Sequence, residues 1–340
     1  MRICLLMRHS TASQNSWLMR MLKDTTWRFA ADQESYFIKL FSNAVSQFSP
    51  AVFVAHDLPM LPVARMASAK CNAKLVYDSH ELYSEQEFST FVKKRWAQIE
   101  AKHIGACDAV ITINPSIAAE LERRYSIKDV TVIYNADRTG ALPVNQHLFH
   151  RAFGLDSEDK ILLFQGGLSA GRNLEVLVEA MRLVRNSSLN LVILGDGRLG
   201  TSLKKKVTAL KLIDRVHLHP AVPQDELVAY SGSAHAGIIP YQATCLNNYY
   251  CTPNKLFEFI AAGIPILASD LPEIRNLIET HRIGLVGDLS TAEKAAQQID
   301  DFFSNPLRLK QWQSNVMRAR QLVCWENESQ KLIKIFDQLR

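Results

Sequence analysis

Short apolar runs, each closed by a polar cluster and followed by a helix-like stretch, recur along most of the chain, and this recurrence constrains its fold most. Residues 51–55, 74–77, 109–113 and 130–134 form one series of runs. Residues 161–165, 191–194, 216–219, 236–239 and 266–268 form a second. Strands alternating with helices predict parallel sheets covered by helices, here two doubly wound α/β domains with a cleft between them. A length of 340 residues supplies two hydrophobic cores. Residues 2–7 are expected as a further strand at the start of the first domain. The predicted domains are 1–145 and 156–320, with aperiodic residues 135–155 as linker and a terminal helix over 325–340.

In the second series one stretch, TPNKLFEFIAAGIPILASDLPE, carries most of the chemistry. Thr252 is expected to cap a helix with Pro253 at its first position. Leu256, Phe257 and Ile260 give it an apolar face, and Gly263 ends it before a buried strand. The amino end of such a helix offers unpaired N–H groups and a partial positive charge. Lys255 adds a full charge, so the first turn, with the N–H groups of Asn254 and Leu256, can hold a phosphate. Glu258 follows one turn later, where a carboxylate can accept both hydroxyls of a ribose. A diphosphate beside a ribose describes a sugar nucleotide, although the same residues also suit a helix that only packs on its sheet.

Polar clusters at the ends of other strands face the ligand-binding edge of a parallel sheet. They are Arg8 and His9 after the first strand, His56-Asp57 after residues 51–55, Asp78-Ser79-His80-Glu81 after residues 74–77, and Gly166-Gly167 with Arg172 after residues 161–165. Each also reads as an ordinary turn. Glycine lets backbone approach a ligand, and a cation in such a turn can pair with phosphate. No paired-carboxylate metal motif is evident, so no metal is expected. No apolar run approaches the roughly 20 residues needed to span a bilayer. The net charge of +5 fits an anionic ligand and is too small to argue for nucleic acid. Six scattered cysteines without a C-x-x-C pair fit buried thiols in a reducing cytoplasm. A basic, aromatic helix over residues 87–103, with Lys93, Lys94 and Arg95 beside Phe88, Phe91 and Trp96, suits either a solvated charge face over core aromatics or contact with the inner face of an anionic membrane.

The phrases VAHDLP, LVYDSHELYSE and NKLFEFIAAGIPILASDLPE resemble those of glycosyltransferase family 4 (group 1), retaining enzymes of the GT-B fold. That resemblance implies two Rossmann-like domains facing a central cleft, a nucleotide-sugar donor on the second, and an acceptor on the first. It implies that Glu258 binds the donor ribose and that the helix start holds the diphosphate, with Arg172 standing where the family has a lysine. By position His80 faces the reacting sugar, Asp57 joins the catalytic groups, and Val222 lies where the nucleobase is held. Arg8, His9, His56 and Glu81 fall on the acceptor side. Three departures stand out. Tyr250 occupies the position of a second glutamate directed at the donor sugar, Gly167 replaces an arginine, and the usual glycine-rich loop after the first strand is missing from a shortened first domain.

The expected activity is transfer of a sugar from a nucleotide donor, as co-substrate without a cofactor, to a saccharide or lipid-linked acceptor in the building of cell-surface polysaccharide. A sugar-nucleotide epimerase on the same fold and a catalytically silent binding subunit are the alternatives. The terminal helix, opening at Trp-Glu-Asn-Glu, resembles the family's last helix, which implies that it crosses back to the first domain.

Overall fold

The computed structural model describes residues 32–140 and 147–339. Arg8, His9 and the first expected strand lie outside the described residues. The described chain forms two compact units, one of residues 32–113, 117–132 and 334–339, the other of residues 114–116, 133–140 and 147–333.

In the first unit Val52–His56 (β1), Lys74–Ser79 (β2), Ala109–Thr112 (β3) and Thr131–Val132 (β4) form a parallel sheet in that order. Val52 pairs with Lys74 and His56 with Asp78, so the polar ends of β1 and β2 are level. Short polar side chains start the helices: Asp32 accepts from the Ser35 amide at the head of Gln33–Val45, and Ser89 from Val92 at the head of Thr90–His103. Asn72 ends Leu61–Cys71 in the left-handed conformation at φ 53°. Leu58, Leu61, Leu75, Val76, Tyr77, Ile117 and Leu121 make the core. The basic helix starts at Thr90 rather than residue 87, and its Trp96 is buried against Tyr83, ring centroids 5.0 Å apart. Phe91 is exposed, whereas Lys93 pairs with Glu85 at 3.2 Å. The Cys107 thiol is half-buried, and burial pushes its pKa up to about 12.

The second unit holds Lys160–Gln165 (β5), Leu189–Leu194 (β6), Val216–His219 (β7), Ala236–Ile239 (β8), Ile266–Ser269 (β9) and Gly284–Gly287 (β10). Its parallel strands run in the order β10-β9-β8-β5-β6-β7. Strand order reverses between β5 and β8, and at such a point the connections leave in opposite directions and open a crevice at the carboxyl ends of the strands. The helix Asn254–Ala262 packs on β8 because Gly237 has no side chain, and a Cβ there would run into the Phe259 ring. Gly263 stops it at φ 75°, with Ile264 N–H donating to the Phe259 carbonyl at 3.1 Å, the Schellman pattern. Buried Arg320, from the helix Pro306–Leu322, donates to the Ala261 carbonyl at 2.7 Å and so satisfies that end.

Several expectations change. Pro253 is the cap and Asn254 opens the helix, one position later than expected, with no side-chain cap from Thr252. Thr252 accepts from Asn114, which belongs to this unit, and Asn114 also donates to the Tyr250 carbonyl at 2.7 Å. The expected linker contains a helix, Leu148–Phe153, built on buried Phe149. Residues 242–251, before the helix Asn254–Ala262, contain the short helix Leu246–Tyr249. The helix after Arg172 spans Leu174–Ala180.

Candidate functional site

The second unit gathers its candidate residues at the switch point. Phe164 and Gln165 end β5, Tyr241 follows β8, and the helix Asn254–Ala262 brings Lys255 and Glu258 to them. Lys255 is 5% exposed, with Nζ 3.8 Å from the Phe164 ring centroid and 4.8 Å from that of Tyr241. The Arg172 guanidinium carbon lies 3.9 Å over the same Tyr241 ring. Tyr241 therefore carries two cations on one aromatic surface. Burial holds the Lys255 ammonium well below its usual pKa, and the Arg172 charge adds to the effect. An ammonium in that state is stabilised by an arriving anion.

Glu258 is oriented from the sheet. Ser231 donates to Gln165 Oε1 at 2.7 Å, which leaves the Gln165 amide nitrogen to donate to a Glu258 oxygen. Burial raises the Glu258 pKa, and the Gln165 hydrogen bond opposes that rise. Of the amides expected at the helix start, that of Leu256 donates to the Pro253 carbonyl at 2.9 Å, so the first turn presents Asn254 and Lys255. Gly166 and Gly167 are exposed beside them.

Backbone hydrogen bonds lace the neighbouring loops together. Gly166 N–H donates to Leu194 at 2.9 Å, Leu168 to Asp196 at 3.0 Å, and Gln242 to Gly171 at 3.1 Å. Gly195, at φ 144°, lies so close that a Cβ would enter the Gly166 carbonyl. The Asp196 carboxylate accepts from Ala221 N–H at 3.2 Å and ties in the segment that carries Val222. These loops join Gly166, Gly167 and Arg172 to the segment that carries Val222, and a Cβ at Gly166 would lie 3.4 Å from Lys255 Nζ on the helix Asn254–Ala262.

The first unit has its own polar cluster at the ends of β1 and β2. Asp57 has a positive φ of 62° with an extended ψ of 159°, and its carboxylate accepts the His80 N–H at 3.1 Å. His56 Nδ1 and His80 Nε2 lie 2.9 and 3.1 Å from Asp78 Oδ2, and 3.3 Å from each other. The Asp78 hydrogen bond raises the His80 pKa against the effect of burial. Glu81 engages Gln86. Sequence reasoning singled out His56, Asp57, His80 and Glu81 here but gave Asp78 no role. It also missed Gln165, Ser231 and Tyr241. The level pairing of His56 with Asp78 was the available signal for Asp78, and needed only the strand register.

A model of the family described as glycosyl transferases group 1 matches residues 145–318, and one described as glycosyltransferase family 4 matches residues 24–136. An uncharacterised glycosyltransferase of Methanocaldococcus jannaschii is 26% identical over 178 residues, covering 50% of this chain and 44% of that protein. The amylovoran biosynthesis glycosyltransferase AmsK of Erwinia amylovora is 27% identical over 152 residues, covering 44% of this chain and 36% of that one. The matched region thus spans less than half the length of these two relatives. Among solved structures, Anabaena HepE in complex with UDP superposes with a TM-score of 0.73 at 15% identity, over 88% of this chain and 82% of that one. Sucrose-phosphate synthase of Thermosynechococcus elongatus gives 0.75 at 19%, over 90% and 77%. These structures share the GT-B fold with this chain.

Proposed function

The chain belongs to the group 1 glycosyl transferases, and from that premise we propose that it moves a sugar from a nucleotide-sugar donor to an acceptor hydroxyl with retention at the anomeric carbon. The observation that carries this reading is the pairing of two cations on Tyr241 with an oriented Glu258 at the switch point of the second sheet. Bond cleavage leaves a diphosphate, and Arg172, Lys255 and the helix start neutralise it in this reading as its charge develops. Glu258 takes the ribose hydroxyls, the Val222 segment takes the base, and Tyr250 stands beside the donor sugar. In the first unit His80 is the polar group for the reacting sugar, Asp57 holds its loop, and His56 and Glu81 serve the acceptor.

HepE has been solved with UDP-glucose, which makes uridine nucleotides the first donors to try. AmsK is named for amylovoran biosynthesis, so a saccharide or lipid-linked saccharide is the acceptor class to try. We place the reaction at the cytoplasmic face of a membrane, with cell-surface polysaccharide as its product, and the terminal helix returning to the first domain. The test is to measure transfer and nucleotide affinity with Glu258→Ala. Affinity should fall by about 1.5–3 kcal/mol, the scale of hydrogen bonds to a charged group. A folded variant with unchanged affinity removes Glu258 from the site. A second reading, a binding subunit without turnover, is favoured by Tyr250 in place of a carboxylate. Tight nucleotide binding with neither transfer nor donor hydrolysis across a donor panel would select it.

A further inference from the structure

The cluster at the ends of β1 and β2 brings three potential metal-ligating atoms to one point. One carboxylate oxygen, Asp78 Oδ2, receives both His56 Nδ1 and His80 Nε2. If each nitrogen donates a proton to it, two N–H groups point at the same place while lying 3.3 Å apart, where neither can accept from the other. If either nitrogen is unprotonated, its lone pair faces the carboxylate. At most two of the three close approaches can be ordinary hydrogen bonds at one time.

A single cation accommodates all three approaches at once. Three ligand atoms about 2.0–2.1 Å from one ion lie roughly 2.9 Å apart in an octahedral arrangement and roughly 3.4 Å apart in a tetrahedral one. The three separations here are 2.9, 3.1 and 3.3 Å. We propose that His56 Nδ1, Asp78 Oδ2 and His80 Nε2 form a binding site for a divalent transition-metal ion of the zinc class.

Donor chemistry selects the ion. Two imidazoles with one carboxylate suit Zn²⁺, Fe²⁺, Co²⁺ or Ni²⁺, whereas Mg²⁺ and Ca²⁺ require oxygen ligands. The side chains of His56 and His80 are 65% and 38% exposed, so ions enter from solvent and water completes the shell. The loop is held for the purpose from outside the ligand set. Asp57 accepts the His80 N–H, and Asp57 N–H donates to the Asp78 carbonyl at 2.9 Å, so one residue fixes the backbone of two ligands.

The test is Zn²⁺ titration of chelator-treated protein by calorimetry, with Co²⁺ as a spectroscopic probe. One equivalent should bind, and Co²⁺ should develop visible d–d absorption. His56→Ala and Asp78→Asn should each weaken that equivalent by at least the roughly 10–100-fold caused by losing only a supporting residue of a metal ligand, and should abolish the Co²⁺ spectrum. His56 is largely exposed, so its variant should fold, which unchanged circular dichroism and nucleotide affinity would verify. Stoichiometry, affinity and Co²⁺ spectrum all unchanged in a folded His56→Ala protein would overturn the site, as would absence of a bound equivalent in the wild type.

Discussion

Lys255→Met separates what this residue does for the site from what it costs the fold. The ammonium is 5% exposed and touches two ring faces, and burial holds its pKa below the ordinary 10.5. A lysine whose folded pKa is depressed contributes least to stability below that pKa, and more as pH rises from it toward 10.5, because the unfolded chain holds the proton more readily in between. Methionine matches the length of the stem, keeps the contact with Phe164 and carries no charge. Replacing buried ion pairs by apolar residues is neutral or stabilising by about 1–4 kcal/mol, and a buried cation on ring faces should follow the same sense. Each kcal/mol raises Tm by about 2–4 °C in a domain of this size. Nucleotide affinity should move the other way. Loss of one charge-assisted phosphate contact costs about 1.5–3 kcal/mol, or roughly 10–150-fold in Kd. Thermal unfolding across neutral and alkaline pH and calorimetry with UDP measure the two effects on one preparation. A variant that is less stable yet binds UDP as tightly as wild type would refute the reasoning, because Lys255 would then be a packing residue.

His80→Ala should leave UDP affinity unchanged, since the nucleotide residues all belong to the second unit, while transfer falls roughly 10²-fold or more; wild-type transfer by the variant would remove His80 from the chemistry. Gly195→Ala should destabilise the second unit by about 1–3 kcal/mol or more and weaken UDP, because φ 144° strains any side chain and its Cβ meets the Gly166 carbonyl. Gly200→Ala, whose Cβ would sit 3.7 Å from Leu168, is the tolerated control, and equal urea midpoints for the two variants would contradict the packing argument. His235 accepts the Ile161 N–H at 3.0 Å, and burial, with repulsion from His150, lowers its pKa from 6.5 to about 4. The unfolded chain protonates first as pH falls, so stability present above pH 6.5 is lost toward pH 4, by up to about 3 kcal/mol at 1.36 kcal/mol per pH unit. His235→Asn keeps an acceptor without titrating, so its stability deficit should shrink as urea unfolding is taken from pH 7 to 4.5, and a constant deficit would show that His235 is not depressed.

Strands of the second sheet were legible because parallel strands buried on both faces read as unbroken apolar runs. Residues 216–219 and 236–239 agree with β7 and β8 to the residue. β10 escaped because Gly-Leu-Val-Gly is short, half-buried and at a sheet edge, where the apolar signal is weakest. The helix Leu148–Phe153 escaped because six residues cannot display a helical period, and tertiary burial of Phe149 decides it. Lys255 and Glu258 were found from their spacing along one helix. Tyr241, Gln165 and Ser231 were not, because their relation to that helix is set by strand order, and no local pattern encodes which strand lies beside which.

The Ser231–Gln165–Glu258 relay has a consequence for what the site rejects. Its carboxylate is held before any ligand arrives, so the rotamer entropy of Glu258 is lost during folding and not during binding. With one oxygen engaged by Gln165, a ribose that fills the rest of the carboxylate's hydrogen-bonding capacity binds without rearrangement. A deoxyribose cannot, and an oxygen fixed by its neighbours cannot swing away to find water. Under the proposed role of Glu258, discrimination between ribonucleotides and deoxyribonucleotides would come from the penalty on the wrong sugar, which rigidity enforces, more than from any added attraction for the right one.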